Sequence, residues 1–151
     1  MYKGEIRTMK RKLLNEFSMK MMSRSENERF SRTAVCGFVT MLDPTIPELA
    51  DIRTALSEAV TNCIVHGYKG TEGTIYISVK CYSDRTVVLK IKDRGCGISD
   101  IEKCREPLYT TDESGERGGM GFAIMESFTD KMTVSSKLGS GTTITLYKKL
   151  S

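Results

Sequence analysis

Apolar and polar residues alternate most regularly between Thr74 and Lys92. Ile75, Ile77, Val79 and Cys81 alternate with Thr74, Tyr76, Ser78 and Lys80. After a Ser83-Asp84-Arg85 turn, Val87, Leu89 and Ile91 alternate with Val88, Lys90 and Lys92. This pattern predicts an antiparallel hairpin with one buried face. Met132/Val134 and Ile144/Leu146 predict a final hairpin around the Gly139-Ser140-Gly141 turn. Near the start, Leu13, Asn15, Phe17 and Met19 alternate with Leu14, Glu16 and Ser18, as in a half-buried strand.

Elsewhere the period is helical. Phe30, Ala34, Phe38 and Leu42 repeat every fourth residue, predicting a helix over 25–42 that Asp43-Pro44 ends. Thr45-Ile46-Pro47-Glu48 is a capping-box pattern, in which a threonine hydroxyl takes an early amide and the glutamate reaches back. The helix it starts runs to about His66, with Leu49, Ile52, Leu56, Ala59/Val60 and Cys63 as its buried stripe. Gly67 fits the left-handed residue that closes many helices. A short helical turn is expected over 99–105, and a third main helix over 122–128. Residues 109–121 hold four glycines and no apolar period, and a loop of that length inside a compact domain is usually functional. The sum is an α+β fold: a two-layer α/β sandwich with a mixed, mostly antiparallel sheet of four to five strands and three main helices on one face. Residues 13–150 are expected to form one domain behind a basic leader, residues 1–12.

The 151 residues suit a single domain. No run of about 18 apolar residues offers a membrane span, and no apolar stretch follows the basic start as in a secretory signal. The five cysteines are odd in number and none has CxxC spacing, which implies free thiols in a reducing cytoplasm. The net charge is +4, from 23 Lys+Arg and 19 Asp+Glu. Five bases and one acid fall in the first twelve residues, leaving eighteen of each in the remainder. With the body neutral overall, nucleic-acid binding drops to a minor expectation.

Three motifs carry candidate chemistry. In Glu58-Ala-Val-Thr-Asn62-Cys-Ile-Val-His66, Glu58 and Asn62 lie four apart and share a helix face. A carboxylate there can act as general base, and an amide oxygen one turn on suits Mg²⁺. Asp93-x-Gly95-x-Gly97 ends a buried strand, where the carboxylate can accept from an exocyclic amine and the glycines admit a flat ring. Gly119-Met120-Gly121-Phe122 leads into a helix and can offer backbone amides to phosphate. The chain has no Walker loop and no Rossmann spacing.

In that order and spacing, the motifs resemble the GHKL superfamily of ATP-binding domains, which includes gyrase and histidine kinases, over roughly residues 13–150. The chain has no room for the second domain that gyrase-like members use, and its one histidine, His66, lies inside the nucleotide motif. Glu58–Tyr68, Pro107–Thr111 and Gly119–Glu126 look most like the anti-sigma-factor serine kinases, in particular the sporulation (sigma-F) branch. The stress-response (sigma-B) branch is the nearer competitor.

The resemblance implies the following roles. Asn62 would hold Mg²⁺ against the phosphates of ATP, and Glu58 would take the proton of a serine hydroxyl. Asp93 would read adenine in a pocket shaped by Gly95 and Gly97, and Thr142, or its neighbour Thr143, would touch adenine through water. Gly119 and Gly121 would bind phosphate through their amides. Arg117 either stabilises the transferring phosphoryl group or is a solvated loop charge. Arg32, placed on the outer face of the first helix, either contacts a protein partner or is solvated. His66 is expected to be structural. A homodimer of this kind would bind a sigma factor and phosphorylate a serine of an anti-anti-sigma protein. An ATP-gated binding module without chemistry and a simple ATPase are the rival readings.

Overall fold

The computed structural model describes residues 10–101 and 121–151. Five strands form one sheet in the order β1-β2-β3-β5-β4: β1 Leu13–Met22, β2 Thr74–Tyr82, β3 Thr86–Asp93, β4 Lys131–Lys137 and β5 Gly141–Lys149. Every pairing among them is antiparallel, so the sheet is not mixed as the sequence suggested. The helices are α1 Ser25–Val39, α2 Ile46–Asn62 and α3 Gly121–Ser127. A 3-10 turn, Thr40–Leu42, extends α1, and a π turn, Cys63–Gly67, extends α2.

The period-two pattern forms the sheet's inner layer. Ile75, Ile77, Val79, Leu89, Ile91 and Ile144 are at most 1% exposed and share one core with Val35, Ile52, Leu56 and Met125 from the helices. The capping box forms with both of its bonds: the Glu48 amide donates to Thr45 Oγ1 at 3.2 Å, and the Thr45 amide donates to Glu48 Oε1 at 2.9 Å. Together with the Ser151 amide, which donates to Glu48 Oε2 at 2.7 Å, these bonds hold the Glu48 carboxyl down at about 2.

Two helical details differ from expectation. The buried stripe of α1 is Ser31, Val35 and Val39, one residue along from the Phe30/Ala34/Phe38 series, and Phe30 is 59% exposed. Ser31 can sit in the core because its hydroxyl donates to the Glu28 carbonyl at 2.7 Å, so no polar group is left unsatisfied. Gly67 does not close α2 in a left-handed conformation; the chain passes through it in the π turn, where the Tyr68 amide donates to the Cys63 carbonyl at 2.9 Å.

Candidate functional site

Asp93, the last residue of β3, is a carboxylate sealed at the end of the sheet with 1% exposure. Burial raises its pKa. The Gly95 amide, donating to Oδ1 at 2.9 Å, the Cys63 thiol and the Thr142 backbone counter that rise. Burial and then the nearby Asp93 charge push the Cys63 thiol well above its ordinary value, so it remains a protonated donor.

Close packing around this carboxylate depends on residues without side chains. A Cβ on Gly67 would lie 2.9 Å from Asp93 Oδ2 and 3.0 Å from Oδ1, covering the carboxylate. One on Gly95 would lie 2.1 Å from the Gly67 carbonyl oxygen. Gly97 has φ +75°, and its Cβ would meet the Lys137 carbonyl oxygen at 2.2 Å. Gly141 has φ +106° and abuts the Asp93 carbonyl oxygen at 2.1 Å in the same sense. The segment after β3 is thus stapled on both sides. The Cys96 amide donates to the Gly67 carbonyl at 2.9 Å, and the Gly139 amide donates to the Cys96 carbonyl at 2.8 Å.

Thr142 pairs with Asp93 across β3 and β5 and is 5% exposed. Its hydroxyl lies 2.8 Å from Ser136 Oγ, which also accepts from the Ile98 amide at 2.7 Å and bonds the Gly141 carbonyl at 3.1 Å. One side chain thereby ties β4, β5 and the 94–98 segment together. The Tyr68 hydroxyl does similar work: it accepts from the Arg94 amide at 2.8 Å and donates to the Thr74 carbonyl.

Glu58 and Asn62 are half-buried in the last turns of α2. A Cβ on Gly121, the first residue of α3, would sit 3.4 Å from Glu58 Oε2. The fold therefore brings the helix-borne carboxylate up to the glycine that precedes Phe122. Gly95, Gly97, Asp93 and Thr142 gather at one end of the sheet, and the π turn that follows Asn62 packs against Asp93 through Gly67. Arg117 and Gly119 lie outside the described residues. Among the described residues no three His, Cys, Asp or Glu side chains cluster as metal ligands, so a cation here would depend on donors such as the Asn62 amide oxygen.

Arg32, for which the sequence leaves open a partner contact or a solvated charge on the outer face of α1, lies beside Glu28. It is half-buried, with its Nε 3.0 Å from Glu28 Oε1 as an ion pair without hydrogen-bond alignment. Glu28 also accepts from the Ser57 hydroxyl, so Arg32 stands at the seam of α1 and α2. Sequence reasoning passed over Gly67, Cys63, Ser136 and Gly141 as site residues. Gly67 and Cys63 adjoin Asn62 and His66 in the first motif, and Gly141 pairs one residue away from Asp93's partner Thr142; only knowledge of the β3–β5 register would have flagged the last.

Residues 33–148 match the histidine kinase-like ATPase domain family. The chain is 49% identical over 138 residues to an anti-sigma F factor of Bacillus subtilis, covering 91% of this chain and 94% of that protein. It is 47% identical over 137 residues to one of Priestia megaterium, covering 90% and 93%. It is 48% identical over 136 residues to one of Clostridium beijerinckii, covering 89% and 94%. A solved Mycobacterium tuberculosis protein with RsbU and RsbW domains shares the fold at TM-score 0.66 and 21% identity, covering 90% of this chain and 32% of that one. A blue-light activated histidine kinase of Erythrobacter litoralis does so at TM-score 0.57 and 20% identity, covering 72% and 32%. With its sealed aspartate, its glycine packing and these relatives, the chain belongs to the anti-sigma F factor family and carries that family's histidine kinase-like ATPase domain.

Proposed function

We propose that this protein is a cytoplasmic anti-sigma factor of the sporulation type and also a serine kinase. In this reading a homodimer binds a sigma factor, and uses Mg²⁺ and ATP to phosphorylate a serine of an anti-anti-sigma protein. The observation that carries it is the joining of two half-sites: Asp93 sealed beneath Gly67 at one end, and Glu58 set against Gly121 at the other.

The residues fit an adenine nucleotide. Asp93 keeps a buried acceptor in a fixed orientation, and the missing Cβ at Gly67 lets the π turn pack directly beside its oxygens without displacing them. ATP, when bound, supplies the transferable γ-phosphoryl group. Asp93 accepts from the base's amino group, Gly95 and Gly97 shape the pocket, and Thr142 contributes through a water. Asn62 presents its amide oxygen to Mg²⁺. Glu58 takes the proton from the attacking serine hydroxyl, a role for which a positioned carboxylate contributes roughly 100-fold or more. Gly119 and Gly121 bind phosphate through backbone amides, and Arg117 offsets charge on the transferring group. Arg32, braced by Glu28, turns its remaining N–H groups to the protein partner.

The test is incubation with labelled ATP, Mg²⁺ and an anti-anti-sigma protein. Glu58→Gln should bind Mg-ATP normally and lose transfer, while Asn62→Ala should lose magnesium-dependent affinity by calorimetry. Full transfer by Glu58→Gln refutes the base assignment. Free phosphate without phosphoprotein makes the chain an ATPase, and neither product makes it an ATP-gated binding module.

A further inference from the structure

The neutral charge count of the body conceals a sorting by face. Strand register sends alternate residues outward, away from the helices. Lys20, Lys80, Lys90, Lys92, Lys131 and Lys137 all take outward positions and are exposed. Lys20, Tyr76 and Lys92 form one row across β1, β2 and β3. Val88, Tyr147 and Lys131 continue another across β3, β5 and β4. A single carboxylate, Glu16, occupies an outward strand position, 3.9 Å from Lys80. A seventh lysine, Lys149, is engaged at the corner by Asp84 at 3.4 Å.

Aromatic rings are interleaved with these cations. Arg94 lies 5.0 Å from the Tyr76 ring centroid, Lys131 lies 5.3 Å from that of Tyr147, and Arg11 lies 4.1 Å from that of Tyr82. Arg11 belongs to the basic leader, whose described end thus adjoins the face: the Ser83 amide donates to the Lys12 carbonyl at 2.8 Å.

We propose that this outward sheet face binds single-stranded nucleic acid, its lysines pairing with phosphates and Tyr76 and Tyr147 stacking on bases. An open antiparallel sheet with cations around aromatic rings offers both kinds of contact a single strand needs. A membrane surface requires a continuous apolar wedge, whereas the exposed apolar residues of this face, Leu13, Leu14, Met22 and Leu138, lie at strand ends and leave its middle to the lysines, the rings and half-buried Val88. An acidic protein would use the lysines and leave the rings without a purpose. The site is separate from the nucleotide pocket, and the inference stands whether or not the kinase reading does.

The experiment is fluorescence anisotropy of the full chain with labelled single-stranded RNA and DNA of about a dozen nucleotides. Duplex DNA, polyglutamate and phosphatidylserine vesicles serve as competitors. Contact with about four phosphates predicts a roughly 50-fold fall in affinity between about 50 and 200 mM salt. The pair Lys90→Glu and Lys92→Glu should weaken binding at least tenfold, and Tyr147→Ala should weaken it about tenfold. Both variants should retain the native circular dichroism and ATP affinity. Absence of binding at low salt overturns the proposal. So does loss on replacing Lys3 and Arg7 by Gln while the sheet variants bind normally. Equal competition by polyglutamate or vesicles, with Tyr147→Ala indifferent, replaces the single-strand reading by a generic anionic partner.

Discussion

The β3–β5 pair shows two different surfaces. On the inner side it ends at Asp93 and Thr142, which are 1% and 5% exposed and are packed around by glycines whose Cβ positions are already filled. On the outer side, one residue away at each step, Lys90, Lys92 and Tyr147 project from the same backbone. At Gly95, Gly97 and Gly141 the inner side leaves no room for an added atom, because the neighbours there are backbone. The outer side consists of long side chains that can be exchanged without touching the core. The same two strands thus hold a site defined by shape beside a surface defined by charge.

That contrast can be broken most severely at Gly95. Gly95→Ala puts a methyl group against the Gly67 carbonyl, which cannot swing aside. It should cost about 2–3 kcal/mol, seen in calorimetry as a Tm lower by roughly 4–12 °C. Gly67→Ala meets a side chain, Asp93, and should sharpen the contrast. Its Tm should fall less while adenine nucleotide affinity drops more than tenfold by titration calorimetry. Cys63→Ala removes one donor from Asp93 and should weaken nucleotide binding about threefold, with Cys63→Ser restoring it.

A smaller effect separates the site from the scaffold. Glu48 has its pKa lowered from 4.5 to about 2, so its bonds contribute stability above 4.5 and lose it as pH falls toward 2. Glu48→Gln should therefore unfold at lower denaturant than the parent at pH 7, with the gap closing below pH 4.5, and nucleotide affinity should not change. On the outer face, Lys90→Gln should shift stability by no more than about 0.5 kcal/mol in urea unfolding.

What was legible in the chain depended on whether a local rule decided it. The capping box at Thr45 and Glu48 and the hairpins from Thr74 and Lys131 follow from side-chain chemistry and period two, and they formed as read. The α1 series holds at Phe38 and Leu42, which pack on the core, but fails at Phe30, which is exposed while Ser31 satisfies its hydroxyl locally and packs inside. Asp93 and Glu58 could be singled out by motif. The need for Gly67 and Gly141 could not, since each is dictated by a long-range approach to Asp93 that no neighbouring residue announces. The basic sheet face escaped a charge count because a sum has no direction; the alternation of Lys80, Lys90 and Lys92 held it, one position off the core pattern.

The π turn over Cys63–Gly67 also limits how this segment can change. Each helical residue turns the chain by about 100°. A wider turn inserted after Asn62 resets that phase once, leaving Glu58 and Asn62 on α2 while Gly67 comes round to Asp93. A deletion of one residue between 63 and 67 would restore regular helix and swing Gly67 away, separating the two halves of the site without altering any residue named in either. In a lineage, the length of this stretch is therefore held as tightly as the identities of Cys63 and Gly67 at its ends.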